Sequence, residues 1–233
     1  FRMGKFLKAE LGHGKHKIGD GYRSLLMSDV PMFYPYLNIN AKFGKWKYAT
    51  MFTAFQEVKK EDTRMLALQR KHGTFSLLEY APSPVLSIGL FEGIIWQTTD
   101  SVSNNRFKPG FFIPVIGVRQ PFLGYNNSDN LVSGLLLRLN LWKSVSLYGQ
   151  LMIDNLDHAL WNQENYHDRS GYQAGIKLLE PLKAKGLFLQ AEYNRVRPFT
   201  YSGFIKRQNY AAYNEPLAHP LQANFDEIFM MAR

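Results

Sequence analysis

Leu37, Ile39, Ala41 and Phe43 alternate with Asn38, Asn40 and Lys42, and the same two-residue rhythm returns along most of the chain. Val145, Leu147, Gly149, Leu151 and Ile153 alternate with Ser144, Ser146, Tyr148, Gln150 and Asp154. Leu187, Leu189, Ala191 and Tyr193 alternate with Gln190, Glu192 and Asn194. Successive side chains of an extended strand point to opposite faces, so this rhythm puts one face in an apolar medium and the other in a polar one. A helix, turning by about 100° per residue, would mix the same residues on every side. The chain is therefore expected to be all-β. Beyond strands at Tyr36–Phe43, Trp46–Phe55, Ser144–Asp154 and Gly186–Arg195, more are predicted at Lys5–Gly12, Arg64–Lys71, Thr74–Tyr80, Val85–Trp96, Leu131–Trp142 and Gly171–Leu179.

Several of these runs last about 9 to 11 residues, the length of a tilted membrane-spanning strand and longer than the usual soluble strand of about 5 or 6. The connections alternate too. Gly44–Lys45, the Trp142–Ser144 corner and Pro181–Lys185 are short, whereas Asn155–Ser170 and Asp100–Asn130 are long and polar. Short turns at one end and long loops at the other are what an antiparallel transmembrane β-barrel shows, and a soluble sandwich has no reason for the asymmetry. No run of 18 apolar residues exists, so helical membrane topology is excluded. The 13 Tyr and 17 Phe suit either aromatic interface girdles or an aromatic β core. A polar strand face carrying Lys42, Gln150, Gln190, Glu192 and Asn194 is easier to keep wet in a wide barrel than to pack in an eight-stranded one. Residues 1–233 are expected to form one domain, part of a wider barrel and of a longer chain.

With no cysteine, disulfides, thiolate metal sites and cysteine nucleophiles are excluded. The formal charge of +9 favours an anionic partner. Its basic residues are scattered instead of gathered, which argues against nucleic acid. Gly12–Gly21 is rich in glycine and cations but lacks P-loop spacing, and His13 and His16 have no carboxylate at a ligand spacing, so neither a cofactor nor a metal is expected. Ser24, Asp29 and a distant His, or Asp154 with Asp157 and His158, assemble a catalytic set only on paper; no enzyme activity is expected. Arg195 and Arg197 flank one Val at a strand end and so point the same way. With Tyr201 nearby they could grip an anionic or sugar ligand, forks bonding and ring stacking.

The stretch Ile18–Asp29, reading IGDGYRSLLMSD, resembles the G-x-G-Y-R-S-L-x-x-S-D signature of the Wzi-like capsule-assembly proteins, including their RemB-type gliding-motility branch. Leu86–Glu92, Asn194–Tyr201 and Tyr213–Leu221 resemble further blocks of that branch in the same order. The resemblance implies an outer-membrane barrel of about 18 strands with a surface role. It implies either a lectin-like hold on capsular polysaccharide or a part in surface motility. Arg23 and Asp29, inside the first block, join Arg195, Arg197 and Tyr201 as expected contacts for a glycan or anion, although block residues can equally be structural lumen contacts. Expected partners are outer-membrane lipid and lipopolysaccharide, anionic surface polysaccharide and surface-machinery proteins. A substrate-selective porin, with the polar strand faces lining a conduit, is the alternative.

Overall fold

The computed structural model describes residues 1–60, 66–96, 109–113, 115–118, 130–154, 169–181, 184–203 and 208–233. Its strands are β1 (Arg2–Met3), β2 (Leu7–Gly14), β3 (Tyr34–Phe43), β4 (Trp46–Lys60), β5 (Leu66–Tyr80), β6 (Leu86–Trp96), β7 (Asn130–Leu141), β8 (Val145–Asp154), β9 (Ser170–Leu179), β10 (Phe188–Val196), β11 (Ala211–Ala212), β12 (Glu215–Pro216) and β13 (Phe225–Ala232). Eleven of them make one antiparallel sheet in the order β1 to β10 followed by β13, while β11 and β12 form a small hairpin of their own. Among the described residues the regular structure is strand, with a 3-10 turn at Pro109–Phe112. Among the described residues the first and last strands of the sheet are not paired with each other, so it is an open sheet of the kind a wide barrel is built from.

Period-two alternation places the strands well but misjudges two glycines. Arg64–Lys71 and Thr74–Tyr80 were expected to be separate strands, and Leu66–Tyr80 is one, paired with β4 from Trp46↔Tyr80 to Lys60↔Leu66. Gly73 does not break it. A Cβ there would lie 2.6 Å from the Phe75 ring and 2.7 Å from Phe55, so glycine is required by close packing within a continuous strand. Likewise β2 runs on through Gly12, where a Cβ would lie 2.6 Å from the Tyr36 hydroxyl. Real turns are elsewhere: Gly44, at φ 57°, takes the first position of the two-residue β3–β4 turn. Arg64 and most of Asp100–Asn130 fall outside the described residues.

The sheet bends around one core. Laid flat, β3 and β13 would stand about 38 Å apart at ~4.8 Å per strand. Yet His16 packs on Tyr36 of β3 at 4.2 Å and Tyr22, six residues on, stacks on Phe229 of β13 at 4.1 Å. Six extended residues reach only about 20 Å, and one buried cluster joins Tyr34 of β3, Phe55 of β4 and Val196 of β10, as a curved sheet allows. On the concave face lie parts of the β2–β3 and β10–β13 connections, residues 16–28 of the first and, among the described residues, 201–203 and 208–219 of the second. Leu25, Leu26 and Met27 from the first, and Tyr210, Ala212 and Leu217 from the second, join Met51, Phe55, Phe75, Phe91, Val132 and Met152 from the strands in a single buried cluster.

The convex face is different. Leu11, Leu37, Leu135, Leu137, Leu151, Ile228 and Met230 are exposed on it, Leu11 by 83% and Met230 by 75%. At the short-turn end it carries rings: Phe6 stacks on Phe43, Trp46 stacks on Tyr80, and Trp142 is 84% exposed. One polar row crosses this face, Thr50 beside Ser76, Ser76 beside Glu92, Glu92 beside Ser133. Part of the β6–β7 connection lies over it. Gly117 donates its N–H to Glu92 Oε2 at 2.8 Å, and the Phe112 ring sits 5.4 Å from Phe52 and 5.8 Å from Trp96.

Candidate functional site

The concave face is a polar wall with a chain segment bolted to it. Gln150, Gln173, Lys177, Gln190, Glu192 and Asn194 all stand on the inward positions of β8, β9 and β10, as the alternation predicts for a lumen. They engage the Ile18–Asp29 stretch atom by atom. Glu192, 2% exposed, accepts from Tyr22 N at 2.8 Å, Arg23 N at 3.1 Å, Tyr148 Oη at 2.8 Å and Asn194 Nδ2 at 2.9 Å. Gln150 accepts from Leu25 N at 2.8 Å and donates to Ile18 O at 3.1 Å. Gln173 donates to Arg23 O, Lys177 donates to Asp20 O, and Arg138 donates to Asp20 Oδ1 at 3.0 Å. A segment without regular secondary structure thereby finds partners for its backbone on the strand wall, as buried backbone must.

The glycines of the block follow from this closeness. Gly21 lies where a Cβ would be 2.6 Å from Gln173 Oε1 and from Glu192 Oε2. From the wall side, Gly134 leaves the space that Leu26 fills, and Gly175 the space of the Tyr148 ring.

The second segment clamps the first from the other side. Tyr201 Oη donates to Leu25 O at 2.7 Å, Tyr210 Oη donates to Leu26 O at 2.8 Å, and Ser28 N donates to Leu217 O at 2.7 Å. Burial pushes both phenols well above their ordinary range, so they act as neutral donors. Among the described residues six non-glycine positions between 199 and 224 take positive φ, including the adjacent Tyr213 (54°) and Asn214 (62°) of the β11–β12 turn. Backbone strain of this kind persists only where surrounding contacts over-determine it.

The five expected contact residues divide into three settings. Arg23 is held in the lumen, its Nε 3.8 Å from Glu227 Oε1 and its guanidinium over the Tyr22 and Phe229 rings. Asp29 is exposed, and its charge partly offsets the burial that lowers the Lys17 ammonium below its ordinary range. Arg195 and Arg197 do share a face, with Val196 buried between them, but it is the convex face. Arg195 Nε lies 3.6 Å from Asp226 Oδ1, and an open cavity of ≈ 440 Å³ is bordered by Arg195, Arg197, Pro198, Asn224 and Asp226. Tyr201 sits 7% exposed on the opposite side of the sheet. The Arg–Arg–Tyr grip imagined from sequence is therefore not assembled: a two-residue step keeps a strand's face, but Tyr201 comes after the chain has turned inward at Pro198–Tyr201.

His219 was not singled out by sequence. Its Nε2 lies 2.9 Å from Glu227 Oε2, and its ring stacks on Phe225 at 4.3 Å. Burial lowers its pKa, against the opposing pull of Glu227. His13 stacks on Phe33 on the convex side and His16 packs between Tyr34 and Tyr36. Asp157 and His158 lie outside the described residues. Comparison with protein-family profiles, curated proteins and solved structures finds no significant match.

Proposed function

We propose that the chain is part of an outer-membrane β-barrel that binds or organises cell-surface polysaccharide, or supports gliding motility, without catalysing a reaction. The observation that carries this is the inversion of the two sheet faces. The concave face is polar, hydrogen-bonded and filled, while the convex face exposes Leu11, Leu135, Leu137, Leu151, Ile228 and Met230. Apolar surface in water is unfavourable by about 25 cal/mol per Å², and acyl chains remove that penalty. Phe6, Phe43, Trp46, Tyr80 and Trp142 at the short-turn end suit a membrane interface, where rings settle. The surface-attachment role draws on the resemblance of the four ordered blocks and on the net charge of +9.

The experiment is deletion of the gene in its own host, scoring retention of surface polysaccharide and spreading, with glycan binding by the purified full-length protein. Loss of either phenotype with binding supports the reading. Unchanged capsule and unchanged spreading overturn it.

The competing porin reading needs a water-filled path. The two inward segments tied to each other and to β8, β9 and β10 favour a closed lumen. Planar-bilayer conductance separates the two, with none expected for a plugged barrel.

A further inference from the structure

On the convex face, β10 carries Leu189, Ala191, Tyr193, Arg195 and then Arg197 just past its end. The order is aliphatic, aromatic, cationic. Neighbouring strands change character at the same level. Tyr172 of β9 pairs with Arg195, its ring 5.8 Å from Tyr193, and on β13 Ile228 and Met230 give way to Asp226. The opposite side of the sheet repeats it. Strand β2 presents Leu7, Ala9 and Leu11, then His13 stacked on Phe33, then Lys15 with its ammonium 5.3 Å from the Phe33 ring. Both gradients end at the long-connection side of the sheet, away from the Trp46 and Trp142 rings.

We infer that Arg195 and Arg197 form a binding site for the phosphate-bearing headgroup of an outer-leaflet glycolipid, whose acyl chains lie along Leu189, Tyr193, Ile228 and Met230. The inference rests on the proposed barrel reading, because it needs the convex face to meet lipid. Two guanidinium forks at one strand end match phosphate oxygens, and aliphatic side chains directly below match acyl chains. An amphiphile satisfies both halves at once, whereas a soluble polysaccharide would leave Ile228 and Met230, 71% and 75% exposed, uncovered. Tyr201, the ring that would have completed a sugar-stacking site with these arginines, points into the core instead. Asp226 moderates the site: it holds Arg195 with both side chains more than half exposed, and a phosphate must compete with it.

The test uses the full-length protein reconstituted in nanodiscs containing bisphosphorylated lipid A, or dephosphorylated lipid A with the same acyl chains. Lipid retained after exchange is read by native mass spectrometry. The double variant R195Q/R197Q should retain the phosphorylated lipid roughly thirtyfold less than the wild type, at about 1 kcal/mol for each of the two cations near the surface. Its retention of the dephosphorylated lipid should not change. Asp226→Asn, which removes the competing carboxylate, should retain the phosphorylated lipid a few-fold better and guards against loss of fold in the double variant. Equal retention by wild type and double variant in a properly inserted barrel overturns the headgroup site alone. Loss of acidic polysaccharide binding with lipid retention intact also overturns it, assigning the arginines to the glycan. Failure of the wild type to insert in the bilayer overturns the barrel reading and this site together.

Discussion

Glu192 shows how much one side chain can organise. Its two oxygens accept four hydrogen bonds, two from the backbone of the Tyr22–Arg23 stretch and two from the wall. Replacing it by Ala takes this acceptor from the Tyr22 and Arg23 N–H groups and the Tyr148 hydroxyl, while Asn194 keeps Glu227, which should destabilise the fold by about 3 kcal/mol at ~1 to 3 kcal/mol per unsatisfied group. Glu192→Gln keeps an acceptor and should lose less. Urea unfolding of the refolded protein in detergent, followed by heat-modifiable gel mobility, measures both. At His219 the pH matters. Its folded pKa is lowered by burial, so the unfolded chain binds a proton there that the folded chain resists. The stabilisation from keeping this ring neutral is present above its unfolded value of about 6.5 and diminishes as pH falls below that, toward the folded value. The charged groups near it are Glu227 and Glu192, which favour protonation, and Arg23, which opposes it. Stability measured between pH 7.5 and 5 should decline with a component that His219→Gln removes; an identical slope in the variant would rule out this residue as the source.

Among elements, Ile18–Asp29 is a concave-face segment whose shape is dictated by the strand wall it lies on. Gly134 on β7 is where a Cβ would come within 2.3 Å of a Leu26 methyl. Gly134→Val should lift Leu26 off the strand while leaving the β7 ladder intact, at a cost of about 1 to 3 kcal/mol for overpacking. Limited proteolysis should then cut within residues 15–33 first, whereas Gly44→Asn in the short turn, which tolerates positive φ, should leave that cleavage pattern as in the wild type. Alternation revealed which strand residues face inward, Gln150 and Glu192 among them. It could not reveal that Leu25, Leu26 and Met27 would be buried against them, because a short apolar run between strands carries no periodicity to orient it.

At the scale of the molecule, the two faces of one sheet differ in character, and tryptophans test the proposal that one of them meets lipid. Trp46 and Trp142 lie on the exposed convex side, while Trp96 is 4% exposed beneath Phe112 with its Nε1 donating to Thr74 Oγ1 at 3.3 Å. In single-tryptophan variants reconstituted with brominated lipid, Trp46 and Trp142 should be quenched most by bromines near the interface, and Trp96 least. Uniform insensitivity at Trp46 and Trp142 would place this face in water.

Strand class, the inward or outward sense of each strand residue and the asymmetry of connections were all legible in the chain, because period two is a local property of an extended backbone. So was the shared face of Arg195 and Arg197. Three things waited for tertiary structure. Gly12, placed at a strand end, and Gly73, placed between two strands, became packing glycines once Tyr36 and Phe55 were known to lie against them. The polar row Thr50–Ser76–Glu92–Ser133 needed four strands in register before it became a row, and only then was Gly117 seen to reach over Glu92. The separation of Tyr201 from the arginines depended on the chain turning inward after Val196. Each is a contact between residues distant in sequence, so no local pattern could have carried it; the long-range register and curvature of the sheet decided all three.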